Sequence, residues 1–193
     1  GMVQKALAKL SSARIGAICP LHGLVWRSDP ARVIGLYDRW SRYEADDAAV
    51  VIYASMYGNT AQMADHIARR IAEAGVRDIR VYDVSKTHVS YLISEIWRCR
   101  GVLLGSCAYN TQMFPLMENL TRDLLHAGPK DRLLGVFGTY SWNGGGVKNL
   151  NAFAEQIGWE TVAPSAEILG RPTCEKYAAC DALADAMACR LKK

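Results

Sequence analysis

Several features that define other protein classes are missing from this chain of 193 residues. No apolar run is long enough to cross a bilayer, and no apolar stretch followed by a small-residue cleavage site stands near the N-terminus. We therefore expect neither a membrane span nor a signal peptide. None of the six cysteines forms a C-x-x-C pair, which argues against a zinc knuckle or a dithiol redox motif and favours buried free thiols in a reducing cytoplasm.

A strong excess of charge of either sign is also lacking. The formal net charge is +4, and the basic residues are scattered rather than clustered, so the sequence does not predict a nucleic-acid surface. Half of the residues are hydrophobic and 22% are charged, which is the composition of a soluble globular protein. We expect a cytoplasmic protein with no nucleic-acid or membrane partner.

From residue 48 onward, short apolar runs alternate with amphipathic helical patterns. The predicted strands are Ala49–Ala54, Ile79–Tyr82, Val102–Gly105, Leu133–Gly138 and Thr161–Ile168, the last of them broken by Pro164. The predicted helices are Thr60–Ala74, Val89–Trp97, Phe114–Leu125, Val147–Ile157 and Tyr177–Leu191. This alternation predicts an α/β fold, a doubly wound five-stranded parallel sheet of strand order 2-1-3-4-5 with helices on both faces.

The first 47 residues do not fit this alternation and are predicted to be a short N-terminal appendage to a domain at 48–193. Val3–Leu10 has helical spacing, Ile15–Ile18 is a possible strand, and Asp29-Pro30 is a typical helix start. Glu44–Asp47 is predicted to be a polar linker. The apolar faces of the appendage would be exposed by themselves, so they should be buried either on the domain at 48–193 or on another subunit. We expect self-association through residues 1–43 and therefore a homo-oligomer.

In a sheet of this order, ligands lie beyond the carboxyl ends of the strands, so the loops there are the candidate site. The loop after the first strand contains Ser55, Met56, Tyr57, Gly58, Asn59 and Thr60. Hydroxyls, a glycine bend and the start of a helix suit a phosphate group, although an ordinary βα turn has the same composition. The loop matches neither G-x-x-x-x-G-K-[ST] nor G-x-G-x-x-G, which argues against nucleoside triphosphates and dinucleotides.

Two further loops end strands at the same edge. The loop after the third strand contains Ser106, Cys107, Ala108, Tyr109 and Asn110, and its tyrosine either lines a flat ring or covers the core. The loop after the fourth strand contains Thr139, Tyr140, Ser141, Trp142, Asn143, Gly144 and Gly145. The aromatic side chains could stack on a flat ligand, and the glycines after them would let the backbone approach it closely.

These segments resemble those of a known family. Ser55–Thr60 resembles the phosphate loop of flavodoxins, and Ser106–Asn110 and Phe137–Gly145 look like the loops of the flavodoxin module in flavodiiron proteins, also called A-type flavoproteins. The resemblance extends to the appendage. There, three stretches are similar to the end of that family's metallo-β-lactamase-like domain: Ile18–Gly23, Trp26-Arg27 and Tyr37–Trp40.

The resemblance implies a flavodoxin-like domain at 48–193 that binds FMN, and a remnant of the metallo-β-lactamase-like domain with its linker at 1–47. The first loop would hold the phosphate, and the backbone of the other two loops would contact the isoalloxazine. Members of the family pass electrons from FMN to a diiron site that reduces oxygen or nitric oxide. The implied partners are a diiron domain of the same or a partner chain and a rubredoxin-like or reductase electron donor.

The diiron ligands themselves are missing. No His-x-Glu-x-Asp motif occurs, and His22 alone matches a ligand position of the family, so we expect no metal site in this chain. Cys107 and Ala108 also stand where the family pattern has Pro and Thr. The sequence therefore predicts an FMN-binding electron-transfer module of a flavodiiron-type oxygen or nitric oxide reductase, which lacks a complete diiron site, needs no catalytic side chain and is not a complete enzyme alone.

Two other functions remain open at this point. One is an NAD(P)H:quinone oxidoreductase on the same fold, which would be distinguished by rapid flavin reduction with NADPH. The other is a non-enzymatic docking module of flavodoxin fold, which would be distinguished by failure to bind FMN.

Overall fold

The computed structural model describes residues 1–192, so Lys193, the last residue of the predicted domain, lies outside the described part. The chain divides into two compact units, Gly1–Ala45 and a second that begins at Asp46. Two of the four residues expected in the linker, Asp46 and Asp47, belong to the first strand. Within residues 1–192, no helix has the length and apolar character needed to cross a membrane.

The first unit contains two helices, α1 (Met2–Leu10) and α2 (Pro30–Ser41). The predicted helix start is confirmed, because the side chain of Asp29 accepts a hydrogen bond from the Arg32 backbone N–H at 3.2 Å and Pro30 begins the helix. The predicted strand at Ile15–Ile18 is wrong. In its place, Ile18 exchanges two backbone hydrogen bonds of 2.9 Å with Trp26 in an isolated bridge, which is too short to form a strand.

The second unit has a parallel sheet with helices on both faces. Its strands are β1 (Asp46–Ala54), β2 (Ile79–Asp83), β3 (Cys99–Tyr109), β4 (Gln112–Met113), β5 (Leu133–Tyr140), β6 (Glu160–Thr161) and β7 (Ala166–Leu169). Its helices are α3 (Asn59–Glu73), α4 (Val89–Arg98), α5 (Pro115–Ala127), α6 (Gly146–Ile157) and α7 (Ala178–Leu191), the last preceded by a short 3₁₀ turn at Cys174–Lys176.

The predicted order 2-1-3-4-5 is confirmed. Strands β2, β1, β3 and β5 are neighbours in that order, and both β6 and β7 pair in parallel with β5 as two parts of the fifth strand. The break between these two parts includes Pro164, which has no N–H to donate to a neighbouring strand. The small antiparallel strand β4 pairs with the end of β3 and was not predicted.

The alternation along β1 explains why both faces of the sheet carry helices. Val50 and Ile52 belong to a core cluster shared with residues of α4, α5 and α6. Their neighbours Ala49 and Val51 belong to a second cluster shared with α3 and α7. A strand that is apolar on both faces must be covered on both, which is the reason for the doubly wound arrangement.

Several strands are longer than predicted, and the extensions of β3 and β5 at their carboxyl ends reach the candidate site. Strand β3 continues through Tyr109 because Ala108 and Tyr109 pair with Met113 and Gln112 of β4. The turn between these strands is Asn110-Thr111, and both residues have positive φ (48° and 61°), which matches the twist of a tight hairpin. Strand β5 continues to Tyr140 because β7 pairs with it to the end.

The six cysteines are all free, but only three are buried, contrary to the expectation that most of them would be. Cys99, Cys107 and Cys180 are buried, whereas Cys19, Cys174 and Cys189 are exposed. Burial raises the pKa of Cys99 and of Cys180 to about 12, because the thiolate would lose its hydration.

This difference predicts two classes of thiol. In the native protein at about pH 8, a thiol reagent such as DTNB should label the three exposed cysteines rapidly, because it can reach their thiols. Cys99 and Cys180, which are fully buried, should react only as fast as the domain unfolds. Peptide mapping of the labelled sites would check this, and rapid labelling of Cys99 or Cys180 in folded protein would contradict the burial described here.

Candidate functional site

A cleft of about 510 Å³ opens at the carboxyl ends of β1, β3 and β5. This volume is within the range of small-molecule binding sites. The three loops predicted to form the site are here called the first (Ser55–Thr60), second (Ser106–Asn110) and third (Thr139–Gly145) segments. All of the lining residues except Thr111 come from them: Ser55, Met56, Tyr57, Asn59, Cys107, Ala108, Tyr109, Asn110, Thr139, Tyr140, Ser141, Trp142 and Asn143. Thr111 could have been found from the sequence only by recognising the Asn110-Thr111 turn, which the prediction took as loop.

Among residues 1–192, no lysine, arginine, histidine, aspartate or glutamate lines this cleft. An anionic group would therefore be held by hydroxyls, amides and backbone N–H groups rather than by an ion pair. Such a site relies on the positive end of a helix and on the local density of donors.

The first segment supplies both of these features. Gly58 adopts a left-handed conformation (φ 82°) that turns the chain into α3, which begins at Asn59 beside the cleft. The hydroxyl of Ser55 is buried and has no hydrogen-bond partner, the only side-chain nitrogen or oxygen of residues 1–192 in that condition. A buried hydroxyl without a partner lowers the stability of the fold by about 1–3 kcal/mol. A ligand that accepted a hydrogen bond from Ser55 would remove this cost, so Ser55 is a candidate ligand donor.

Thr60 lies below the cleft rather than on its wall. Its side chain is fully buried, and its hydroxyl pairs with that of Thr139 at 2.8 Å. This hydrogen bond joins the first turn of α3 to β5, so the phosphate loop and the third segment are fixed relative to each other. Gly58, which supplies the turn, does not line the cleft either.

The residues of the second segment differ in whether their side chains reach the cleft. Ser106 does not reach the cleft, because its hydroxyl donates to the carbonyl of Cys107 (2.8 Å) and accepts from the backbone N–H of Phe114 (2.9 Å). It therefore fastens the start of α5 to β3. Cys107 lines the cleft, and burial raises the pKa of its thiol, with a smaller opposing hydrogen bond from the Met56 backbone. Tyr109 is half-exposed and meets Phe114 edge to face, with ring centroids 6.0 Å apart.

The third segment presents aromatic side chains at the cleft. Tyr140 and Trp142 both line it, and Trp142 is 92% exposed, so its indole face is free to cover a ligand. Tyr57 of the first segment also lines the cleft and is 87% exposed. The exposed part of the cleft wall therefore includes large, neutral rings.

Two of the glycines that follow Trp142 are required for backbone packing, a role that the sequence analysis did not predict. A Cβ on Gly145 would lie 2.3 Å from the carbonyl oxygen of Thr111, and one on Gly146 would lie 2.8 Å from that of Ser106. These two positions hold the loop against the β3–β4 hairpin. Gly144, which also stays outside the cleft wall, has only Glu167 Oε1 near its Cβ position, at 3.4 Å.

His22, the single match to a diiron ligand, lies in an irregular, exposed segment of the first unit. Among residues 1–192, no group of three or more His, Cys, Asp and Glu side chains is placed to hold a metal ion.

Comparison with known proteins identifies the fold and the family. The flavodoxin family model matches residues 51–182. The chain belongs to the flavodoxin family. A curated relative, the anaerobic nitric oxide reductase flavorubredoxin of Pectobacterium carotovorum, is 32% identical over 149 residues, which cover 76% of this chain and 29% of that protein.

Solved structures give the same result over a longer part of the chain. The flavodiiron core from Synechocystis is 26% identical with a TM-score of 0.71 and matches 98% of this chain and 47% of its own. The rubredoxin:oxygen oxidoreductase of Desulfovibrio gigas matches 98% of this chain and 48% of its own with a TM-score of 0.89, although at 24% identity it shows the fold alone. The predicted resemblance to flavodiiron proteins is confirmed.

This chain spans less than half of the length of these relatives, between 29% and 48% of the three proteins compared. Flavodoxin-like domains of flavodiiron proteins bind FMN, so the cofactor predicted from the sequence is that of the family.

The packing of the third segment leads to a prediction with a matched control. Gly145→Ala should lower the free energy of unfolding of the cofactor-free protein by about 1–3 kcal/mol, because the new methyl group has to displace the Thr111 backbone. Gly144→Ala should change it by less than about 0.5 kcal/mol, because nothing but a carboxylate oxygen lies near. Urea unfolding of both variants measures the difference, and equal stabilities would show that the contact at Gly145 is not tight.

Proposed function

We propose that this chain is the FMN-binding electron-transfer module of a flavodiiron-type oxygen or nitric oxide reductase. The observation that carries the proposal is the unpaired, buried Ser55 hydroxyl beside the start of α3, in a neutral, aromatic-lined cleft of a flavodoxin-family chain. Similarity over nearly the whole chain to a flavodiiron core supports the choice of parent enzyme.

The residues of the cleft fit FMN in chemistry. The Ser55 hydroxyl would donate to the phosphate, together with the backbone N–H groups of the loop and the first turn of α3. Tyr109 and Trp142 would cover the isoalloxazine, and backbone groups of the second and third segments would contact its edge. When bound, FMN supplies the capacity to accept and give electrons, and no side chain of this chain has to act as acid, base or nucleophile.

The partners follow from the same proposal. Because the described residues hold no metal-binding group, the diiron site would belong to another domain of the same or a partner chain. Electrons would arrive from a rubredoxin-like protein or a reductase, in the cytoplasm. Residues 1–47 would then be the end of a metallo-β-lactamase-like domain with its linker, followed by the flavodoxin-like domain.

The test of the proposal is the affinity of the protein for FMN in wild-type and variant form. The wild-type chain, stripped of flavin, should quench FMN fluorescence at equimolar concentration. Ser55→Ala should raise the dissociation constant about tenfold, because a hydrogen bond to a charged phosphate is lost. The stability of the cofactor-free variant should be unchanged or slightly higher, because an unpaired buried polar group has been removed.

The control is Ser94→Ala, an exposed position on α4 outside the cleft, which should leave the FMN dissociation constant unchanged. Unaltered FMN affinity in Ser55→Ala would contradict the phosphate site. If the wild-type chain bound no FMN, the docking-module function would be favoured. Rapid reduction of bound FMN by NADPH without a protein donor would favour the quinone oxidoreductase.

We further propose that the protein self-associates through its first unit. Leu21 is 98% exposed, and Leu24 and Met2 are also exposed, which leaves apolar area to be covered. Light scattering at micromolar concentration should give at least the mass of a dimer, and Leu21→Ser combined with Leu24→Ser should shift it toward the monomer. A monomeric wild-type chain would refute this part of the proposal.

A further inference from the structure

Asn143 lines the cleft and begins the one Asn-Gly pair of the sequence, Asn143-Gly144. The carbonyl of an asparagine side chain is open to attack by the next backbone nitrogen, and a following glycine gives least hindrance because it has no Cβ. We propose that Asn143 is a site of spontaneous deamidation and that its product impairs the cofactor cleft; the second half rests on the proposed function.

The local structure allows the reaction. Residues 141–145 lie outside helix and strand, and both Asn143 and Gly144 are exposed. Within residues 1–192, the structure shows no hydrogen bond for the Asn143 side chain or the Gly144 N–H. Among the described residues, no hydrogen bond therefore holds the Asn143 side-chain carbonyl away from the neighbouring nitrogen.

Another asparagine of the same region shows the contrast. Asn149 donates from its side-chain amide to Gln112 Oε1 (2.9 Å) and to the carbonyl of Gly145 (2.8 Å), and it lies within α6. Helical backbone geometry and these two hydrogen bonds hold its amide away from the next nitrogen.

The reaction balances with water as the only co-reactant. The backbone nitrogen of Gly144 forms a bond to Cγ of Asn143, and the bond from Cγ to Nδ2 breaks. The side-chain nitrogen leaves as ammonia and takes the proton of the Gly144 N–H. Water then opens the five-membered ring at either carbonyl, and the product is aspartate or isoaspartate; no group is oxidised or reduced.

The product changes the cleft in two ways. A carboxylate enters a wall that contains no ionised side chain, and Glu167 already lies beside Gly144, so the product would repel an anionic cofactor and its own neighbour. Isoaspartate also adds one atom to the backbone. The loop has little room for it, because Gly145 and Gly146 pack directly on the carbonyl oxygens of Thr111 and Ser106.

The experiment follows the conversion by mass in the full chain, stripped of flavin or saturated with FMN, over several days at mildly alkaline pH. Trypsin should release residues 133–148, in which Asn143 is the only side-chain amide. In the stripped protein this peptide should convert to acid and isoaspartate forms at a rate within about tenfold of a synthetic peptide of the same sequence. FMN should slow the conversion several-fold, and Gly144→Ala should nearly abolish it without unfolding the protein.

The outcomes separate this inference from the proposed function. If residues 133–148 stay intact in the stripped protein while the synthetic peptide converts, the deamidation site is refuted whatever the protein binds. If they convert but FMN neither binds nor protects, the deamidation site stands and the proposed function fails. Asn143→Asp, which imitates one product, should raise the FMN dissociation constant about tenfold, and an unchanged value would refute the effect on the cleft.

Discussion

The site depends on how closely the backbones of three segments approach one another around the carbonyl oxygen of Ser106. A Cβ on Gly138 would lie 2.3 Å from this oxygen, and one on Gly146 would lie 2.8 Å from it. Glycine at both positions lets β5 and the start of α6 close onto the end of β3. The Ser106 hydroxyl holds the start of α5 at the same point. Ser106 therefore fixes the backbone beneath the second and third segments of the cleft.

A site built in this way has little need for charge. The Thr60–Thr139 hydrogen bond and the packing at Gly145 fix the three segments in position before any ligand is present. Fixed hydroxyls and backbone N–H groups lose little entropy on binding, which is how a neutral cleft can hold an anion. The buried Ser55 hydroxyl has no hydrogen-bond partner in this arrangement, so a ligand would have to supply one.

The fold could be predicted from the sequence because its signals are local. Apolar runs such as Ala49–Ala54 and helical periodicity in α3 are properties of short windows, and the order of the strands follows from topology rules. The location of the cleft followed from the same rules. The ends of β3 and β5 could not be predicted, because β4 and β7 extend them through pairings that no local window contains.

The roles of individual site residues were harder to predict for the same reason. Thr60 and Ser106 have side chains suited to a ligand, but the structure shows their hydroxyls bonded to residues 79 and 8 positions away. Among the glycines after Trp142, Gly145 and Gly146 pack on the backbones of Thr111 and Ser106, a requirement that the sequence does not show. The sequence shows which side chains could bind a ligand, but it does not show which of them are already bonded within the protein.

The pairing of Thr60 with Thr139 also bears on the order in which the molecule folds. The two residues are 79 positions apart, so their hydroxyls can meet only after β5 has docked beside β3 and β1. Closing so large a loop is slow and comes after local helices have formed. The cleft is therefore a late product of folding. A cofactor that requires all three segments would stabilise the finished domain and slow its unfolding, but it would not speed the first steps of assembly.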